Sequence, residues 1–204
     1  MAVNDTIGIT GGIGAGKSVV SRVLRCNGFF VYDCDSEAKI IMVKDSRVKN
    51  ALIKELGEGI YLNSGDLNRE KLAASIFGDK DLRQFVNGIV HSAVREDIRK
   101  EKESHNGLFF IESAILATGK IAEMCDQIWV ITAPIDERLR RVMERDGSDE
   151  ASVRKRMESQ EMEISLLDRY NLTIIENDNT HPVLPVVLKK TDKFINYQEY
   201  QLSC

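Results

Sequence analysis

Eight residues, Gly11-Gly12-Ile13-Gly14-Ala15-Gly16-Lys17-Ser18, satisfy the spacing G-x-x-x-x-G-K-[ST] at every fixed position. Glycines let the backbone fold tightly enough for successive N–H groups to point inward at phosphate oxygens. A helix that starts at the end of such a loop adds its positive dipole end to the same anion. Lys17 is placed to reach β- and γ-phosphates, and the Ser18 hydroxyl to ligate Mg²⁺. The context agrees. Ile7-Gly8-Ile9-Thr10 precedes the loop as a strand-like run, and Ser18-Val19-Val20-Ser21 opens a helical pattern after it. The loop predicts binding of a nucleoside triphosphate through Gly12, Ile13, Gly14, Ala15, Gly16, Lys17, Ser18 and Val19.

Three further groups could do chemistry beside a triphosphate. Tyr32-Asp33-Cys34-Asp35 ends an apolar run, and ligands of open α/β sheets sit beyond the carboxyl ends of strands. If strand geometry persists, alternation turns Asp33 and Asp35 to one side. One carboxylate would take a proton from an attacking hydroxyl, and the other would hold metal-bound water. Either aspartate could instead cap the helix beginning near Ser36. Glu112 ends the next strand-like run and is a candidate to orient Mg²⁺ through water. Arg138, Arg141 and Arg145 recur at helical spacing as one stripe, with Ile135, Leu139, Val142 and Met143 as the adjoining apolar face. Phosphoryl transfer depends on positioning and charge stabilisation, so such a stripe could close over a triphosphate. On an earlier helical stretch His91 and Arg95 stand four apart, and Arg69 heads another helix.

These residues need a frame. Besides the run before the loop, Phe29–Tyr32, Leu108–Ile111, Ile128–Ile131 and Leu172–Ile175 are short, continuously apolar and rich in β-branched or aromatic residues. Continuous apolarity suits strands covered on both faces, so five parallel strands with helical crossovers are predicted, an α/β fold flanked by helices. Residues 34–106 exceed one crossover. There Leu82, Phe85, Val86, Ile89, Val90, Ala93 and Val94 mark a long amphipathic helix, and the stretch reads as a helical insertion that builds part of a substrate site. Residues 136–167 are charged, broken at Asp146-Gly147-Ser148, and read as a mobile helical hairpin, or lid. The core is then residues 1–33, 107–135 and 168–204 of a single domain, with the tail from Asn196 expected to fray.

A net charge of −4 argues against non-specific nucleic-acid binding. No apolar run has the length of a membrane span, and Asn4 and Asp5 stand where a signal peptide would be apolar. Cys26, Cys34, Cys125 and Cys204 include no C-x-x-C pair, so a reducing cytoplasmic setting is expected, with Cys34 a passive small residue.

Taken together the motifs resemble the dephospho-coenzyme A kinase family over almost the whole chain. Ile9 to Ser18 is similar to L-T-G-G-I-G-S-G-K-S, and Asp33-Cys34-Asp35 with Ala38 to D-A-D-x-x-A. Arg69, Leu72 and Phe77 resemble R-x-x-L…F, and His91 to Arg95 resembles H-P-x-V-R. Arg141, Arg145-Asp146-Gly147, Arg156, Gln160 and Asn177 match the lid and the region after it. The phosphate loop is shared with many kinases, whereas the aspartate pair, His-to-Arg segment and Arg-Asp-Gly lid are much more specific. Ser92 replaces the family's proline, and Ala114–Thr118 replaces P-L-L-F-E without its glutamate.

The resemblance implies a P-loop NTPase fold of the nucleoside-kinase type. It also implies phosphorylation of the ribose 3′-hydroxyl of dephospho-coenzyme A by MgATP, the last step of coenzyme A synthesis. Asp33 would be the base, Lys17, Arg141 and Arg145 would stabilise charge, and Arg141 and Asn177 would join the loop at ATP. Asp33, Asp35, Arg69, His91 and Arg95 would meet the acceptor, and the assembly would be a monomer or small homo-oligomer. Two alternatives stay open: another phosphate-loop kinase with a different small-molecule or nucleotide acceptor, and a nucleotide-dependent switch. A guanine-specific switch would carry N-K-x-D, which does not occur here.

Overall fold

The run before the glycine loop forms β1 (Thr6–Thr10), buried along its whole length, in a computed structural model that describes residues 5–178, 180 and 182–201. The loop leads into α1 (Lys17–Cys26), which returns to β2 (Phe30–Asp33). A helical stretch follows: α2 (Cys34–Lys44), α3 (Ser46–Leu56), α4 (Arg69–Ile76) and α5 (Lys80–Ser104). The chain then alternates again through β3 (Phe109–Glu112), β4 (Gln127–Thr132), α6 (Ile135–Asp146), α7 (Glu150–Ser165), β5 (Leu172–Glu176) and α8 (Val183–Gln201). The backbone of α8 stays helical to Gln201, past the point where the sequence predicts fraying.

The five strands form one parallel sheet in the order β2-β3-β1-β4-β5. Ile9 of β1 is level with Glu112 of β3 on one side and Trp129 of β4 on the other. The strand order reverses direction at β1, and a loop leaving such a strand opens into the crevice where ligands of this architecture bind. The sheet core gathers Ile9, Phe110, Trp129 and Ile131 with Val20 and Leu24 of α1 and Val187 of α8. Phe110 meets Trp129 and Phe29 edge-on, with centroids 5.5 and 5.6 Å apart. Each such large side chain contributes about 1.5–3 kcal/mol by leaving water. Apolarity overstates the cover at one edge: β5, the last strand in the order, is half-exposed, and its Ile174 is 65% exposed.

Two compact units divide the chain, one of the described residues up to Tyr32 and from His105 on, the other of Asp33–Ser104. Within the second unit the helices have polar starts. Asp33, Asp45 and Asn68 cap α2, α3 and α4 by accepting backbone N–H groups of the first turn. Val86, Val90, Val94 and Ile98 form the buried line of α5, narrower than the predicted stripe, which leaves Phe85 exposed. Ser92 is exposed on this uninterrupted helix, where a proline would remove a backbone donor. Tyr61 donates its hydroxyl to the Met42 carbonyl at 2.7 Å, and Lys49 lies 4.9 Å from its ring.

Candidate active site

The phosphate loop runs from the end of β1 to the first turn of α1. Gly16 caps α1 in the left-handed region (φ 97°, ψ 28°), and a Cβ there would overlap the Asn177 amide, so only glycine fits. Lys17 Nζ donates to the Gly11 carbonyl at 2.7 Å, folded back along the loop. Ser18 and Val19 are exposed in the first turn of α1. Ala15 N–H donates to the Gly12 carbonyl at 3.1 Å and closes the turn.

Three side chains from outside the loop hold its carbonyls. Arg138 Nε donates to Ile13 O at 3.0 Å. Arg141 Nη1 donates to Gly14 O at 3.3 Å, and both its Nη groups to Asn177 O at 3.1 Å. Asn177 Nδ2 donates to Ala15 O at 2.9 Å. The Ile13 N–H is taken by the Gln160 side-chain oxygen from α7. The structure therefore brings Arg141 and Asn177 to the loop, as carbonyl clamps. Arg138 is only 8% exposed, and burial pushes its guanidinium pKa down from the usual value.

The third arginine of the stripe goes elsewhere. Arg145 pairs with Asp146 at 2.7 Å, and Arg156 of α7 reaches the same carboxylate at 3.0 Å. Gly147, left-handed at φ 63°, ends α6, and Asp149 starts α7 by accepting Ser152 N–H at 2.9 Å. The predicted hairpin is present, with its helices packed through Leu139, Val142, Val153 and Met157. Ile135, assigned to the apolar face, is instead 53% exposed because it opens α6 ahead of that contact.

The two arginines hold the Asp146 carboxyl at about 2, below its ordinary 3.8. A carboxyl with a lowered folded pKa contributes stability above its unfolded value and loses it as pH falls through the folded one. The turn between α6 and α7 is therefore expected to keep this bridge above roughly pH 4 and lose it toward pH 2. Titrating the Asp146 carboxyl carbon by NMR checks this: a midpoint near 2 is expected, and one at 3.8 contradicts the bridge.

Glu112 ends β3 half-buried, and no described residue hydrogen-bonds or pairs with its carboxylate. Asp33 ends β2 but does not share a strand face with Asp35, because the chain turns into α2 at Cys34. The cap falls on Asp33: its Oδ1 accepts Asp35 N–H and Ser36 N–H, each at 3.1 Å, and its Oδ2 accepts the Ser36 hydroxyl at 3.0 Å. Asp35 is exposed on the first turn. His91 and Arg95, both half-buried, lie one turn apart on α5. Arg69 begins α4 and lines a small cavity with Lys39, Met42, Val43, Asp66 and Leu67, while Phe77 at the other end is 90% exposed. Among the described residues no three His, Cys, Asp or Glu side chains cluster as a metal site. Cys34 is buried; Cys204 lies outside the described residues.

One acidic residue is invisible to sequence reasoning. Glu163 of α7 is buried and accepts the Thr118 N–H at 3.1 Å and the Ala117 N–H, supplying a carboxylate to the loop after β3. Its only signal is an acidic residue in the middle of a charged helix, which marks nothing.

A parallel sheet of this order, with the loop between β1 and α1 and a helical hairpin before β5, is the phosphate-loop kinase fold. A protein from Thermus thermophilus of known crystal structure superposes with a TM-score of 0.76 at 30% identity, covering 92% of this chain and 95% of its own. Dephospho-CoA kinase from Campylobacter jejuni shares the fold, with a TM-score of 0.67 at 19% identity over 95% of this chain and 98% of its own. Dephospho-CoA kinase from Porphyromonas gingivalis is 43% identical over 185 residues, 90% of this chain and 91% of that protein. The family model for dephospho-CoA kinase matches residues 5–182. The chain belongs to the dephospho-CoA kinase family, phosphotransferases with an alcohol group as acceptor.

Proposed function

We propose that this protein transfers the γ-phosphoryl group of ATP to the ribose 3′-hydroxyl of dephospho-coenzyme A, giving coenzyme A and ADP. The observation that carries the reading is the loop from Gly11 to Ser18, its carbonyls held by side chains from outside it, within a chain that belongs to this family over residues 5–182. In this reading Lys17 leaves the Gly11 carbonyl for the β- and γ-phosphates. Residues Gly12 to Val19 surround the phosphates, with Arg141 and Asn177 beside them. Arg141, and Arg145 once released from Asp146, offset the charge that shifts during transfer.

Mg²⁺ needs few protein ligands when phosphates and water supply the rest. The exposed Ser18 hydroxyl and the unpartnered Glu112 carboxylate fit that requirement, Glu112 acting through water, with Asp35 a further candidate of the same kind. The ion would supply charge neutralisation at the β- and γ-phosphates. Asp33 takes the proton of the attacking hydroxyl with the oxygen not engaged by the α2 amides. Asp35, Arg69, His91 and Arg95 recognise the acceptor. The setting is cytoplasmic, the form a monomer or small homo-oligomer, and nucleic acid is not a partner. No described helix is long and apolar enough to cross a membrane.

Incubation with MgATP and a panel of alcohols and nucleotides tests the choice of acceptor. ADP release stimulated by dephospho-coenzyme A above all others is expected. Equal or better stimulation by a nucleotide or another alcohol would favour a different kinase, and slow hydrolysis indifferent to acceptors would favour a switch.

A further inference from the structure

Four consecutive peptide units of the phosphate loop, from Gly12–Ile13 to Ala15–Gly16, are each held by a side chain from outside it. In three of them the group held is the carbonyl, by Arg138, Arg141 and Asn177 in turn. A trans peptide points its C=O and N–H to opposite sides. Fixing the carbonyls of Ile13, Gly14 and Ala15 from outside therefore turns the N–H groups of Gly14, Ala15 and Gly16 the other way. Ala15 N–H is used by Gly12 O, whereas those of Gly14 and Gly16 meet no acceptor among the described residues. Two backbone donors thus stand ready for an anion, aimed by side chains that need not touch it.

Arg138 is the unusual member of the set. Its guanidinium fills the space that a Cβ on Gly12 would need, and its own carbonyl lies against Gly14 in the same way, so the first turn of α6 interlocks with the loop. Its Nη2 is buried with no hydrogen-bond partner, and no ion pair to it occurs among the described residues. The Glu161 carboxylate acts on this guanidinium through its charge without forming an ion pair, and a buried guanidinium so weakly compensated is costly, because arginine stays charged in proteins. Such a cation is tolerable where an anion is to be bound, because it strengthens the attraction that the inward N–H groups exert.

We propose that Arg138 is a positioning residue for nucleotide binding: by holding the Ile13 carbonyl from outside the loop it aims the Gly14 N–H at the phosphates. The inference rests on the nucleotide reading of the loop and adds a residue outside the set assigned to ATP or catalysis. Arg138 does not touch ATP in this role.

Calorimetric titration with MgATP, alongside melting temperature and the KM for the acceptor, tests it with two variants. Arg138→Met removes the donor and the charge, and is expected to weaken MgATP binding by roughly ten- to a hundredfold, the usual cost of losing a hydrogen bond to a charged group. The acceptor KM should stay within about twofold, because the variant alters only the loop side of the reaction. Arg138→Gln keeps an N–H donor for the Ile13 carbonyl, and is expected to recover affinity to within about fivefold of wild type. A folded Arg138→Met that binds MgATP normally overturns the role. So does an Arg138→Gln as impaired as Arg138→Met, which would make charge alone the contribution. If Arg138→Met does not fold, Arg138→Gln decides by itself: affinity near wild type supports positioning, and a loss of tenfold or more overturns it. Failure of the wild-type protein to bind MgATP would overturn the nucleotide reading together with this role.

Discussion

Lys17→Ala is expected to lower turnover by about a hundred- to a thousandfold, the scale on which removing one preorganised donor slows a reaction that develops negative charge. Within the loop the lysine is held by a backbone contact. Its ammonium donates to the Gly11 carbonyl, a contact within the loop that a phosphate can replace. Alanine is at least as good as lysine in the first turn of α1, so the fold should stand. The melting temperature is therefore expected to change by only a few degrees while transfer almost disappears. Stopped assays with ADP as product, together with a thermal melt of the same preparation, measure both. A folded variant with near wild-type turnover would mean that the loop does not serve phosphate transfer.

Asp33→Asn should cost two to four powers of ten in acceptor phosphorylation, the range of a positioned general base. The structure sharpens this test. Asp33 is the N-cap of α2, so one carboxylate oxygen is already committed to two backbone N–H groups and the other to the Ser36 hydroxyl. Asparagine retains an oxygen for the amides and can donate its own N–H to Ser36, and it caps helices about as well as aspartate. Stability and MgATP affinity should thus change little. Measuring all three quantities on one preparation separates the roles. Full activity would leave Asp33 with the cap alone, and collapse of activity, affinity and stability together would make it a structural residue.

The parts of the molecule that the sequence made legible are those whose physics is local. Five apolar runs became five parallel strands within a residue or two of their expected limits, because strands covered by helices on both faces read as near-continuous apolar runs, although the edge strand β5 is only half-covered. The loop was legible for a similar reason, since glycine, lysine and serine at fixed spacing leave the backbone few other uses. Position on a helix surface was less legible. Arg138, Arg141 and Arg145 share one helical stripe by spacing, yet the first two engage the phosphate loop and the third turns back to Asp146. Periodicity says which residues share a face, and it cannot say that a loop 125 residues earlier in the chain covers only the first turns of that face.

The same limit accounts for Asp33 and Asp35. Alternation would have placed them together, but the strand stops at Asp33, and the short polar side chain that ends it also starts the next helix. Glu163 shows the limit from the other side. Its partners at Ala117 and Thr118 are backbone N–H groups, which every residue but proline carries, so no residue type marks them in the chain.

The most direct measurement of the central claim is the mass and site of the product formed from dephospho-coenzyme A. With enzyme and MgATP together, the substrate should gain one phosphate, located on the ribose 3′-oxygen by phosphorus-coupled NMR, and ADP should form in equal amount. Neither omission control should show the gain. A substrate recovered unchanged while ATP is hydrolysed, or a phosphate on any other oxygen, would contradict the account.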